Sequence, residues 1–204
     1  MPDKNQDLPP INFVDDVIEI PEIFHSNATG EKFEKCLVCE KDLLDERSLY
    51  VIEKAVKRYK KFNTTDTLYE YAMCIQCHEE MLTMFSDESR QRLESYFKGR
   101  VDLAARRRKL LENEKRDVAD WIDSCIIKNK PSAECDEFQI MCECTGAKML
   151  FTYSPIMICD EVAAEMAELL SAKTRDDIGR FKDEYLGIPP ELKINPRQPE
   201  PFLI

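Results

Sequence analysis

Two Cys-x-x-Cys pairs, Cys36-Leu37-Val38-Cys39 and Cys74-Ile75-Gln76-Cys77, are the strongest chemical signal in the chain. A Cys-x-x-Cys turn aims two thiolates at one ion, and two such turns complete a tetrahedral set of four sulfurs. The spacing predicts one structural zinc per chain, held by Cys36, Cys39, Cys74 and Cys77. A site closed by four sulfurs leaves no position for water, so it supplies folding energy and not catalysis. The stretch Cys74-Ile75-Gln76-Cys77-His78 also spells the c-type haem attachment signature. That reading needs export and leaves Cys36 and Cys39 without a role. A thiol-redox use of either pair lacks the βαβ context of a thioredoxin motif.

The other thiols give a weaker signal. Cys135, Cys142, Cys144 and Cys159 are candidates for a second metal site, against which stands the common use of buried cysteine as a small hydrophobe. Only His25 and His78 are present, so general bases are few. There is no nucleophile elbow, phosphate loop or His-Glu-x-x-His motif, and no catalytic residue is assigned.

Two basic stretches stand out from an acidic chain. Residues 54–61 carry Lys54, Lys57, Arg58, Lys60 and Lys61 without an acid. Residues 97–116 hold eight basic and three acidic residues, with Arg106, Arg107, Arg108 and Lys109 consecutive within the 98–109 stretch. Since the net charge is −11, the remainder carries −21, an asymmetry that marks these nine side chains as a candidate polyanion site. The alternative is a solvated helix face.

Elements must position these residues. Residues 1–32, with Pro2, Pro9, Pro10 and Pro21 among acids, read as an extended arm. Tyr50, Val51 and Ile52 favour a strand after the first Cys pair, although Leu49, Ile52, Val56 and Tyr59 also fit a helical period. Residues 63–67 break the pattern, a second strand over 68–73 delivers Cys74, and residues 79–85 read as helix. This order of turn, hairpin and helix resembles the treble-clef class of zinc fingers over residues 33–85. The resemblance is architectural and shared by many functions. That class includes the HNH nucleases, whose core histidines are not matched by the single His78.

The spacing of Leu93, Phe97, Val101, Ala104 and Leu111 predicts one helix over 87–113 behind the N-cap Ser86. Val118, Trp121, Ile122 and Cys125 predict a further helix ending before Pro131, with Trp121 a core anchor. Residues 138–144 and 149–153 flank a turn and predict a β-hairpin. Two helices follow, one capped by Asp160 and one opening on a Thr174–Asp177 capping box, with Gly187 as C-cap. The expected organisation is α+β: an arm over 1–32, a four-cysteine zinc-binding unit over 33–85, a helical segment over 86–130, a hairpin with two helices over 131–188 and a Pro-rich tail over 189–204. Apart from the two Cys pairs, no internal repeat is visible.

Hydrophobic content of 43% supports a core, five glycines disfavour Gly-rich phosphate loops, and nine cysteines is an odd number. With no membrane span and no signal peptide visible, the expectation is a cytoplasmic protein with reduced thiols. The leading functional expectation is a zinc-stabilised, non-enzymatic interaction or scaffold protein that binds a protein partner or itself. The alternatives are a nucleic-acid-binding regulator using the basic stretches and an enzyme whose site leaves no local motif.

Overall fold

The computed structural model describes residues 16–187. The tail over 189–204 and the first fifteen residues of the arm lie outside them. The fold is α+β, built on a six-stranded sheet whose paired strands are all antiparallel.

Strands β1 (Val17–Glu19), β2 (Leu49–Tyr59) and β3 (Thr64–Cys74) precede helices α1 (Ile75–Leu82), α2 (Asp87–Phe97), α3 (Leu103–Glu112) and α4 (Val118–Ile122). Strands β4 (Glu137–Thr145), β5 (Lys148–Leu150) and β6 (Ile156–Cys159) then lead to helices α5 (Asp160–Leu169) and α6 (Ala172–Phe181). The sheet runs β1-β5-β4-β2-β3, and β6 pairs with β4 beyond the end of β5. Strand, not helix, is therefore what the β-branched and aromatic run after the first Cys pair becomes. Central strands β2 and β4 pair from Leu49↔Thr145 to Lys57↔Glu137.

Strand alternation sends side chains to two faces. Tyr50, Ile52 and Lys54 share one face with their partners Cys144, Cys142 and Ile140. On the other, the buried Glu53 accepts hydrogen bonds from Tyr69 (2.6 Å) and Tyr71 (2.5 Å), which keep a carboxylate tolerable in the interior. The described part of the N-terminal arm packs on the sheet. Its β1 pairs with β5, Phe24 is fully buried, and the Asn27 N–H and Ser26 hydroxyl reach Glu70.

The helix expected over 87–113 is two helices. Gly99 adopts a left-handed φ of 78°, which glycine tolerates without steric cost, and Asp102 then caps α3 by accepting from the Ala105 N–H at 2.8 Å. Apolar spacing carried across the break and imitated one continuous face. Two caps also move. Cys159 is the N-cap of α5 and Asp160 its first helical residue, while Ser171, not Thr174, caps α6. Gly187 does take the left-handed conformation at the chain's last described helical end (φ 53°). Trp121 is fully buried, tilted against Phe151 with its indole N–H on the Lys115 carbonyl. No helix of the described residues is long and apolar enough to cross a membrane.

The fold contains a repeat that the sequence does not display. Tyr50 on β2 faces Cys74 across its hairpin, and Phe138 on β4 faces Cys159. Each of these cysteines then N-caps a helix, α1 or α5. Each helix is followed by a serine, Ser86 or Ser171, that caps the next, α2 or α6. The two serines meet at 2.9 Å, and their contacts are reciprocal: the Ser86 N–H donates to Thr174 Oγ1 (3.0 Å) and the Ser171 N–H to Ser89 Oγ (2.9 Å). An approximate twofold therefore relates the two halves, passing between β2 and β4 and between these serines.

Candidate metal centre

The turn that carries the first Cys pair is closed by its own backbone. Lys35 and Asp42 form an isolated antiparallel bridge, the Cys36 N–H donates to the Lys41 carbonyl at 2.9 Å, and Glu40 takes a positive φ of 58° to let the chain return. The Leu37 N–H then donates to the Ala72 carbonyl at 2.9 Å, which ties the turn to β3 beside Cys74. Cys74 ends the strand and caps α1, and Cys77 follows on the first turn of that helix. Two pairs far apart in sequence thus converge from a turn and a helix start.

Their four Sγ atoms lie within 4.8 Å of one another, a cluster able to hold one metal ion. Zinc sits about 2.3 Å from thiolate sulfur, which sets tetrahedral edges of about 3.8 Å. The Cys39–Cys74 sulfur separation of 3.7 Å fits that edge. Cys36, Cys74 and Cys77 are buried and Cys39 is exposed.

The electrostatics suit a cation. Burial pushes Cys36 up, but the N–H groups of Cys39, Cys74 and Val38 outweigh it and bring the thiol down to about 7. Burial first, then the neighbouring thiols, pushes Cys77 up. Four thiols in such proximity resist joint ionisation, and a divalent cation at their centre removes the conflict. A cleft of about 480 Å³ with a mixed lining, Met81, Phe181 and Tyr185 together with Glu80, Asp177 and Arg180, opens beside Cys77.

The remaining cysteines do not form a second set of four. Cys142 and Cys144 touch each other (3.7 Å) within β4. Cys159 faces Phe138, four residues along that strand from Cys142, roughly 13 Å at strand rise. The neighbours of Cys159 are instead Cys125, a residue that spacing places only on a helix stripe, and Cys135; burial first, then these thiols, push Cys159 up.

The basic candidates are dispersed. Lys54 is buried, its Nζ 3.0 Å from Glu70 and within hydrogen-bond reach of the His25 carbonyl (2.6 Å). Lys57 pairs with Glu137 at 2.7 Å and Lys60 with Asp136 at 2.8 Å, while Arg58 lies over the Phe138 ring. Arg106 lies over the Trp121 ring and donates to the Trp121 carbonyl, and Arg107 is buried against Asp16 (2.8 Å). Lys61, Arg108 and Lys109 are exposed.

No protein-family model matches this chain, and no curated protein or solved structure matches it.

Proposed function

We propose that the protein is a zinc-stabilised, non-enzymatic interaction module. The observation that carries the reading is the convergence of four thiols within 4.8 Å of one another. Four thiolates suit zinc in tetrahedral coordination and leave no open position for substrate or water, so the ion serves as a staple. Ligands drawn from a turn before a hairpin and from the helix after it follow the treble-clef plan.

A surface for a partner is offered by the β2–β3 hairpin. Its tip extends past Lys57, where pairing with β4 ends, and presents Phe62 with 77% of its surface exposed beside Lys61. An exposed aromatic on a projecting tip is the kind of anchor that fills a pocket on a partner. The polyanion-binding reading draws less support, because Lys54 and Arg107 spend their charge on Glu70 and Asp16 inside the chain.

A native mass spectrum of the purified chain tests the reading. One zinc per chain is expected, lost together with cooperative melting in Cys74→Ser. No metal, or a haem-sized mass, would sink it. Nucleic acid retained at low salt and shed at high salt would favour the polyanion reading instead.

A further inference from the structure

The twofold relation between the halves extends to the metal-binding turn. Residues 124–131 form a second turn of the same construction. Ser124 and Pro131 make an isolated bridge where Lys35 and Asp42 make the first. The Cys125 N–H donates to the Lys130 carbonyl at 2.9 Å, as that of Cys36 does to Lys41. The Asn129 N–H returns to the Cys125 carbonyl at 2.8 Å, as Glu40 returns to Cys36 at 3.1 Å. Asn129 has a φ of 52° where Glu40 has 58°. The Ile126 N–H binds the Met157 carbonyl at 3.0 Å, two residues before Cys159, as Leu37 binds Ala72 two residues before Cys74.

These matches give a residue-by-residue correspondence. Cys125 stands where Cys36 stands and Cys159 where Cys74 stands. Three residues on from each, Lys128 takes the place of Cys39 and Val162 the place of Cys77. Two of four ligand positions keep sulfur. Cys125, Cys159 and Val162 are all fully buried.

We infer that the 124–131 turn and the start of α5 form a thiophilic metal site that has lost two of its ligands, with ion pairs now joining turn to helix where the other half uses a metal. Lys128 Nζ lies 3.0 Å from Glu161 and 2.6 Å from Glu165. Lys130 Nζ lies 2.8 Å from Glu161 and 3.4 Å from Asp160. All three acids project from α5, so each lysine crosses the junction that a shared ion spans in the first half. Asp160 and Glu161 also sit in the first helical turn, where negative charge is favoured. Val162 fills with an apolar side chain the place that a fourth thiolate would occupy. The inference rests on the metal reading of the first cluster for its comparison, and its test separates the two.

The test rebuilds the site. Wild type, Lys128→Cys/Val162→Cys, and that double variant carrying Cys39→Ser and Cys77→Ser as well are titrated with Co(II), whose thiolate charge-transfer band reports sulfur ligation. Native mass spectra with Zn(II) give the count. The expected result is one metal in wild type, two in the double variant and one in the quadruple variant. No metal in wild type but one in the double variant would leave the inference standing while removing the metal reading of the first cluster. A folded double variant that binds no more metal than wild type would overturn it, as would two metals in wild type. Should the double variant not fold, hydrogen exchange in Lys128→Ala decides. Amides of 124–131 should exchange at least tenfold faster while those of 35–42 keep their protection, and equal exchange in both turns would refute the role given to the ion pairs.

Discussion

The hydroxyls of Ser86 and Ser171 lie 2.9 Å apart, and each accepts the N–H that opens its own helix, from Ser89 and from Thr174. One contact therefore joins two helix starts across the axis that relates the halves. The buried Ser89 and Thr174 hydroxyls, 2.9 Å apart, complete the cluster. Four hydroxyls and two reciprocal backbone donors satisfy one another there, an arrangement in which each loss strands a partner.

Ser171→Ala should destabilise the chain by about 2 kcal/mol, since it removes an N-cap and a cross-axis partner together. Urea denaturation of Ser86→Ala, Ser171→Ala and the double variant measures the coupling. A coupling energy above about 0.5 kcal/mol is expected for residues sharing one network. Additive losses would show that each serine acts only on its own helix.

Glu70 makes stability depend on acid. Burial pushes its carboxyl up, but hydrogen bonds from the Asn27 N–H, Lys54 and Ser26 outweigh this and hold it below the ordinary value of 4.5. A carboxylate with a depressed folded pKa contributes stability that is full above the ordinary value and is lost as pH falls through the folded one. Glu70→Gln should thus cost about 3 kcal/mol at neutral pH by leaving Lys54 without its anion. The difference from wild type should shrink as pH drops below about 4. Thermal melts across pH 3–7 read this directly, and a constant difference would count against the pair.

Arg107 and Arg108 are neighbours in sequence with opposite fates. Arg107 donates to Asp16 at 2.8 Å and to the Phe151 carbonyl at 2.9 Å in the interior, whereas Arg108 is exposed. Arg107→Ala should cost about 3–5 kcal/mol and Arg108→Ala less than about 0.5 kcal/mol. Chemical denaturation of the two variants checks the contrast. Equal effects would mean that Asp16 is not a structural partner.

Metal removal should act on the fold as a whole, because Cys36, Cys74 and Cys77 are continuous with the apolar core. Chelation at pH 7 is expected to lower the melting temperature by more than about 10 °C, and zinc to restore it. Calorimetry with and without chelator measures the shift. An unchanged melt in metal-depleted protein would show that the thiols pack without an ion.

Signals that act within a few residues were legible from the sequence by itself. The two Cys-x-x-Cys spacings marked the thiols that converge, the aromatic and β-branched run 50–52 marked a strand, and Ser86 marked a helix start. Each depends on local backbone preference or on ligands a turn apart. What only the tertiary structure decided involves residues distant in sequence. The fates of Lys54 and Arg107 depended on where Glu70 and Asp16 arrive, and a run of basic residues looks alike whether or not its charge is spent. Gly99 and Asp102 broke a helix that apolar spacing had continued, because periodicity counts residues without testing the path between them. The twofold was invisible for the same reason. It resides in strand register and in turn geometry, which backbone hydrogen bonds specify, and those are the same where Lys128 and Val162, not thiols, occupy the positions matching Cys39 and Cys77.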